Sequence, residues 1–358
     1  MGRKSNKILS TFAIILLFFF SCRKNEQDKP VAPPANITNK TFVVCEGSYG
    51  NGNSALGMYA IDKDSFYEDI FSAVNGGQLG DVFQSMQAIG DFYFLCINNS
   101  DKVLVLGKSD YHLVATISIP KPRYILPVSS TKAYVSTLFS NKLYILDLQT
   151  LQVTGSIILP NENPEGMLLW QDKAIICTWD TSANKIYYIN TATDAIEKEV
   201  EIAGRAPHSC VIDKESKLWV ASGNVYKGKP AYLTRLEPST GAVITSFSFP
   251  SNADIIKPAM NPAKDSLYFI AVDYNGNTDN NGIYRMNVAA AERPAAPFLA
   301  AKKFQYFWGL GIDPETGYIF IGDPKGFVQK GSVYIYRSDR TLLKEFKTGV
   351  GPGHFYFD

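Results

Sequence analysis

The sequence predicts an all-β protein, a seven-bladed β-propeller built from four-stranded antiparallel blades. Three observations predict this fold. A unit of 42 or 43 residues recurs along the chain, each unit contains four short β-rich runs, and the two chain ends carry the strands of one shared blade. No stretch of 15 residues after residue 37 shows helical periodicity, so strands are predicted throughout the folded part.

The repeat is clearest between residues 122 and 249. Its units begin at Pro122, Pro164 and Pro207, which are 42 and 43 residues apart, the period of a propeller blade. Turn-forming residues, such as those at 213–216 and 238–241, separate the runs. The predicted strands of these three blades are 122–128, 132–137, 142–147 and 152–159; 164–170, 173–179, 185–190 and 197–202; and 207–212, 218–222, 232–237 and 243–249.

Three further units follow the same order with longer loops. Their predicted strands are 84–88, 92–97, 102–106 and 113–119; 258–261, 266–272, 282–287 and a weak outer strand near Phe298; and 308–312, 318–322, 332–336 and 342–346. Near the N-terminus lie only three strands, at 41–46, 54–61 and 66–71, and residues 352–358 are predicted to supply the missing inner strand. Closure of the ring by both chain ends removes the open sheet edges of a linear array.

The N-terminal 37 residues have a different composition. Residues 1–21 combine three basic residues with an apolar run at 12–20, which is too short for an ordinary spanning helix and is typical of a secretory signal peptide. Ser21 and Cys22 follow at once and resemble the lipobox of bacterial lipoproteins, in which the cysteine is lipidated. Residues 22–37 are polar and proline-rich, which predicts a flexible tether between a lipid bilayer and a propeller at 38–358. The alternative is an uncleaved anchor helix.

Replacement of Cys22 by serine tests the predicted acyl anchor. Because the acyl group is carried by the cysteine thiol, we expect Cys22→Ser to abolish lipidation and to leave unprocessed precursor. Cells grown with a radioactive fatty acid report the modification directly, with the wild-type chain as the positive control. Label that persists in the serine variant would contradict the lipobox interpretation.

Charge and cysteine usage narrow the classes of partner. Without residues 1–21, 32 Lys and Arg stand against 34 Asp and Glu, so the chain has no basic excess for a nucleic-acid partner. The four cysteines after Cys22 lie far apart within apolar runs, at Cys45, Cys96, Cys177 and Cys210. We interpret them as small core residues of strands; disulfides, which an exported protein allows, are the alternative.

Few residues point to catalysis or to a bound metal. The chain has three histidines, too few for a histidine-based metal centre with a second shell, and no Walker loop, Gly-x-Ser-x-Gly or HExxH motif. We therefore predict no enzymatic activity, no catalytic residue and no cofactor. The alternating oxygen-bearing side chains of Asp273, Asn275, Asn277 and Asp279 resemble a calcium loop that lacks its closing glutamate. A plain polar loop is the first interpretation there, and bound Ca²⁺ is the alternative.

A ligand-binding site is predicted on one face of the ring. In a four-stranded blade, the loops that lead into the inner strand meet the loops between the second and third strands on the same face. The first set of loops brings six side chains near the central channel: Gln84, Arg123, Glu165, His208, Trp308 and His354. The second set adds the aromatic residues Tyr49, Trp179, Tyr226, Tyr274 and Phe327. Aromatic platforms beside a few polar groups suit a large flat ligand with polar edges, and simple capping of the blades is the alternative.

Several motifs resemble those of a known group. The turns Leu-Asp-Leu-Gln-Thr at 146–150 and Ile-Asn-Thr-Ala-Thr at 189–193, with the repeated Lys-x-Tyr strands, resemble YncE-like seven-bladed propellers. Segments 44–53 and 77–85 are similar to those of a group of Bacteroidetes lipoproteins that includes the BtuG-type cobalamin-capturing propellers. The resemblance covers residues 41–358.

This resemblance implies a lipid-anchored protein of the outer membrane, exposed at the cell surface. It would capture a corrinoid and pass it to a TonB-dependent transporter. Two other functions remain open: a propeller that scaffolds a transporter or binds another small nutrient, such as a glycan or peptide, and an enzyme of lactonase or quinoprotein type. Lactonase propellers need several acidic ligands on the axis, whereas Glu165 is the one acidic residue predicted at the start of an inner strand.

Overall fold

The computed structural model describes residues 30–34, 37–274, 280–303 and 305–358, together with Gly2. Cys22 and all residues of the predicted signal peptide except Gly2 lie outside these residues, as do Asn275, Asn277 and Asp279 of the predicted calcium loop. Within the described ranges, no helix is long and apolar enough to cross a membrane.

Seven four-stranded antiparallel sheets form the described part of the chain, which confirms the predicted seven-bladed propeller. The inner strand of each sheet contacts the inner strands of both neighbouring sheets, so the ring closes around a central channel. The first blade consists, from the channel outward, of β28 (Pro352–Phe357), β1 (Lys40–Cys45), β2 (Ala55–Ala60) and β3 (Ser65–Tyr67).

The other six blades follow one another along the chain. Blades two to four consist of β4 (Phe83–Ile89), β5 (Phe92–Ile97), β6 (Lys102–Gly107) and β7 (Leu113–Ser118); β8 (Pro122–Pro127), β9 (Lys132–Thr137), β10 (Lys142–Asp147) and β11 (Gln152–Ile158); and β12 (Pro164–Trp170), β13 (Lys173–Thr178), β14 (Lys185–Asn190) and β15 (Ala195–Glu201). Blades five to seven consist of β16 (Pro207–Ile212), β17 (Leu218–Asn224), β18 (Lys229–Leu236) and β19 (Val243–Ser248); β20 (Asp254–Met260), β21 (Ser266–Val272), β22 (Gly282–Asn287) and β23 (Leu299–Ala300); and β24 (Gly309–Ile312), β25 (Ile319–Asp323), β26 (Lys330–Tyr336) and β27 (Leu342–Val350).

Short helices occupy some of the loops. The outer strand of the first blade is shorter than predicted because helix α1 (Ile70–Asn75) begins directly after it. The side chain of Asp69 accepts the backbone N–H of Ser72 and so caps this helix, which ends at Gly76 in a left-handed conformation. Single 3₁₀ turns form at Ile61–Lys63, Asn98–Ser100, Val225–Lys227 and Lys325–Phe327.

Closure of the ring by both chain ends is confirmed. Strand β28 pairs antiparallel with β1, from Thr41 opposite Phe357 to Cys45 opposite Pro352. The carboxylate of the last residue, Asp358, accepts the hydroxyl of Tyr93 at 2.6 Å and so joins the first blade to the second. Apolar side chains fill the space between neighbouring blades, and Ile37 is already part of this core.

The cysteines behave as predicted core residues. Cys45, Cys96 and Cys177 are buried, Cys210 is half-buried, and all four are free thiols. Burial raises the pKa of the Cys45 and Cys96 thiols to about 12, so both remain protonated at neutral pH.

Candidate functional site

Bulges at the start of the inner strands aim side chains into the channel. In six of the seven blades the pairing of the inner strand shifts near its first residues. The extra residue lacks a direct partner, and such a bulge redirects its side chain. The residues at these bulges are Gln84, Arg123, Glu165, His208, Lys257 and Gly353. Five of the six line one cavity at the upper end of the channel, which we call the floor cavity.

The floor cavity opens toward a larger cavity at the mouth of the channel. The floor cavity has a volume of about 240 Å³, and the mouth cavity, lined also by Phe139, Asp180 and Tyr226, about 610 Å³. Four residues line both cavities: Trp179, Asp254, Tyr274 and Trp308. The two cavities therefore form one funnel, polar at its base and aromatic at its mouth.

A buried ion pair forms one side of the floor. Arg123 donates from Nε to Glu165 Oε2 at 2.8 Å and from Nη2 to Glu165 Oε1 at 2.5 Å, a bidentate arrangement. Its Nη1 donates to Gln84 Oε1, and the amide nitrogen of Gln84 donates to the hydroxyl of Tyr124 at 3.2 Å. These bonds fix side chains from three adjacent blades relative to one another.

Glu46 takes the place that a bulge side chain would fill in the first blade. A Cβ on Gly353 would lie 2.2 Å from Glu46 Oε1, so the glycine leaves room for this carboxylate. The indole nitrogen of Trp308 donates to the same oxygen at 2.8 Å. Burial raises the pKa of Glu46, although Lys257 and Trp308 oppose the shift.

Lys257 is the cation of the floor without a direct partner. No hydrogen bond or ion pair joins its ammonium to the residues that the structure describes, and its charge acts on Glu46, His208 and His354. Its backbone is left-handed, with a φ of 54°, a conformation that is unusual for lysine. The side chain lines both the floor cavity and a lower cavity of about 550 Å³ in the same channel.

Two histidines are held neutral in the channel. Burial, with a smaller effect of Lys257, lowers the pKa of His208 to about 4 and that of His354 to about 3. Each ring hydrogen-bonds the backbone of the next blade, His208 at Ile255 and His354 at Met86. Both rings therefore tie adjacent inner strands together.

Acidification should destabilise the protein through these histidines. Between pH 6.5, where the unfolded rings gain protons, and about pH 4, the unfolded chain binds protons that the folded protein does not. Stability is therefore highest above this range and falls as pH decreases, by roughly 3 kcal/mol for each ring. We expect His208→Gln to flatten the dependence of the free energy of unfolding on pH. His112→Gln, at an exposed position, is the matched control, and a profile of His208→Gln that parallels the wild type would contradict the account.

The aromatic side chains of the mouth are oriented by protein contacts. The indole nitrogen of Trp179 donates to the carbonyl of Gly223 at 3.2 Å. Trp308, whose indole N–H is bound to Glu46, packs edge-on against Phe327, with ring centroids 5.6 Å apart. Both indole N–H groups are thus satisfied, and the rings offer apolar surface to the funnel.

The structure brings most of the predicted ligand-binding residues together. Eight of them line the funnel: Gln84, Arg123, Glu165, Trp179, His208, Tyr226, Tyr274 and Trp308. Three do not: Tyr49 is 80% exposed outside it, Phe327 supports Trp308, and His354 lines the lower cavity. Sequence reasoning missed Glu46, Asp254 and Lys257. The glycine at 353 is the signal for Glu46, because it leaves a gap in a ring of larger side chains.

Metal-ligating residues are not clustered in the described part of the chain. No group of three His, Cys, Asp or Glu side chains there is placed to hold a metal ion. Asp273, the described member of the predicted calcium loop, is buried and accepts the side-chain amide of Asn252 at 2.8 Å.

One family model matches the sequence over nearly all of the described residues. The model described as "Domain of unknown function (DUF5074)" matches residues 39–357, the entire propeller. The chain belongs to the DUF5074 family. No curated protein matches it.

Solved propellers share the fold of this DUF5074 protein at low sequence identity. A quinonprotein alcohol dehydrogenase-like protein from Bacteroides thetaiotaomicron is 13% identical with a TM-score of 0.67, over 89% of this chain and 79% of that one. Hydrazine synthase from Kuenenia stuttgartiensis is 13% identical with a TM-score of 0.61, over 75% and 89%. Streptogramin B lyase is 15% identical with a TM-score of 0.58, over 77% and 89%. These likenesses show the fold alone, and the three proteins carry names of unrelated activities.

Proposed function

We propose that this DUF5074 protein is a non-catalytic propeller that captures a corrinoid, cobalamin in the first place, at the funnel of its upper face. The observation that carries the proposal is the funnel itself, in which Trp179, Tyr274 and Trp308 stand above a floor of fixed polar side chains. A corrin is a broad ring with amide arms around its edge. Aromatic faces suit the ring, and buried donors and acceptors suit the arms.

Pre-organisation of the floor supports tight binding. Arg123, Glu165 and Gln84 are fixed by mutual hydrogen bonds, and Trp308 is fixed by Glu46. A rigid site loses little conformational freedom when a ligand binds, which favours affinity. The same contacts engage two of the three carboxylates that line the floor cavity, Glu165 and Glu46, so neither is free to act as a general base.

An enzyme of lactonase or quinoprotein type is the second candidate. It is favoured by one observation, the three carboxylates of the floor cavity, Glu46, Glu165 and Asp254, where one was predicted. Only Asp254 among them lacks a side-chain partner. Hydrolysis of a lactone that is lost in Asp254→Asn would support this candidate over capture.

Delivery completes the proposal. The N-terminal sequence and the resemblance to surface lipoproteins support an acyl anchor at Cys22 in the outer membrane, with the propeller held at the cell surface by the tether. The captured ligand would then pass to a TonB-dependent transporter. A scaffold or a binder of another nutrient, such as a glycan or peptide, would share this anchor.

Calorimetry of residues 23–358 with cyanocobalamin tests the proposal. We expect saturable binding to the wild type and a loss of about 2–4 kcal/mol of binding free energy in Trp179→Ala, because a buried aromatic anchor is removed. Trp170→Ala is the matched control, since Trp170 ends its inner strand at the opposite face and packs on Tyr188. Its affinity should equal that of the wild type.

Two outcomes would overturn parts of this proposal. Absence of binding at micromolar protein would reject corrinoid capture and favour another nutrient or a scaffold. Tight binding that survives both Trp179→Ala and Trp308→Ala would retain the function and reject the funnel as its site.

A further inference from the structure

The funnel contains a buried carboxylate, that of Asp254, which has no charged partner among the described residues. Asp254 begins β20, is 8% exposed, and lines both the floor cavity and the mouth cavity. Its Oδ1 accepts the backbone N–H of Val225 at 3.0 Å, and no cation pairs with it among the described residues. Burial raises the pKa of Asp254, and this single backbone hydrogen bond opposes the shift. A buried carboxylate is unfavourable unless a cation or further donors approach it.

The cations of the funnel are directed elsewhere. Arg123 is bound by Glu165, and Lys257 acts on Glu46 and the two channel histidines. Lys227, at the mouth, lies over the ring of Tyr226, with its ammonium 5.5 Å from the ring centroid. The protein therefore leaves the negative charge of Asp254 for something that enters the funnel.

Three aromatic side chains line the funnel at the same level as Asp254. Trp179, Tyr274 and Trp308 line the same two cavities, and both indole N–H groups are bound to other acceptors. Tyr274 is 48% exposed and lines both cavities together with Asp254, so the ring and the carboxylate border the same space. Aromatic faces around a desolvated position attract organic cations through the ring quadrupole.

We propose that Asp254, Trp179, Tyr274 and Trp308 form a subsite for an organic ammonium group. The carboxylate supplies the countercharge and the three rings supply apolar, electron-rich walls. This inference goes beyond corrinoid capture and does not depend on it. A neutral amide arm of a corrinoid would occupy the same subsite with less electrostatic gain.

A matched pair of small probes tests the subsite on the wild-type propeller. Choline carries a trimethylammonium group, and 3,3-dimethylbutan-1-ol has the same shape with a neutral carbon in its place. Titrations followed by the indole N–H resonances should show choline binding at least about tenfold more tightly than the alcohol. Equal affinity for the two probes, or no shift with either, would overturn the proposal.

Variants of the funnel residues show which side chains cause the preference for choline over the alcohol. Asp254→Asn keeps the size of the side chain and its acceptor for Val225, and it should reduce the preference for choline to about threefold or less. Tyr274→Leu leaves every charge in place and should weaken the binding of choline more than the binding of the alcohol. This variant tests the subsite if Asp254→Asn does not fold. Tyr49→Ala, on the same face outside the funnel, is the control and should keep the wild-type preference. A preference that survives both funnel variants would place the cation elsewhere.

The two proposals fail separately. Choline selectivity without cyanocobalamin binding would retain the subsite and reject corrinoid capture. Cyanocobalamin binding without choline selectivity would do the reverse.

Discussion

Deletion of residues 353–358 should abolish cooperative unfolding of the propeller. The deletion removes most of β28, exposes the backbone edge of β1, and takes Phe355, which is 5% exposed, out of the core between the first and seventh blades. Each buried aromatic side chain contributes about 1.5–3 kcal/mol, a large share of the roughly 5–15 kcal/mol that stabilises a typical domain. Circular dichroism during heating should show a broad, non-cooperative transition or aggregation.

Asp358→Asn is the matched control for this deletion. It keeps the whole strand but weakens the ion pairs of the carboxylate with Lys40 and Lys108, at 3.2 and 2.9 Å. These partly exposed pairs contribute about 1 kcal/mol or less. The control should therefore unfold cooperatively at a slightly lower temperature. A truncated protein that melts like the wild type would contradict closure by both chain ends.

Removal of Arg123 alone should lower the free energy of unfolding more than removal of both charges of the Arg123–Glu165 ion pair. Arg123→Met leaves Glu165, which is 6% exposed, without its bidentate partner, and we expect a loss of about 3–5 kcal/mol in the free energy of unfolding. The double change Arg123→Met/Glu165→Gln removes the stranded charge and should recover most of this loss. Urea denaturation at fixed pH measures the free energy of unfolding of the wild type, the single variant and the double variant.

A surface pair calibrates this result. Lys185 and Glu199 are 37% and 41% exposed, and their ammonium and carboxylate groups lie 2.9 Å apart. Lys185→Met should change the free energy of unfolding by less than about 1 kcal/mol, because water screens the charge that remains. If Arg123→Met were equally mild, the floor cavity would be wetter than the structure indicates.

The strands of the middle blades could be predicted closely from sequence. Prolines mark the first residues of β8, β12 and β16, and polar turns bracket the short apolar runs, so the predicted strands 132–137, 142–147 and 207–212 coincide with β9, β10 and β16. Local signals of this kind act over a few residues and do not depend on the rest of the fold.

The register at the channel could not be predicted in the same way. Alignment of Pro258 with the other prolines placed Lys257 ahead of its strand, whereas β20 begins at Asp254 and its bulge puts Lys257 level with Arg123. A bulge is defined by the partner strand, and the chain itself carries no mark of it. Glu46 was missed because it reaches the funnel beside Gly353, through the closing of the ring, and Asp254 was missed because β20 begins four residues before the predicted strand.

The structure of the propeller with cyanocobalamin bound tests the central claim most directly. Our account predicts the corrin ring in the funnel of the upper face, against Trp179 and Trp308, with amide arms directed to the polar floor. A corrinoid bound in the lower cavity, on the outer strands, or nowhere on the saturated protein would contradict it.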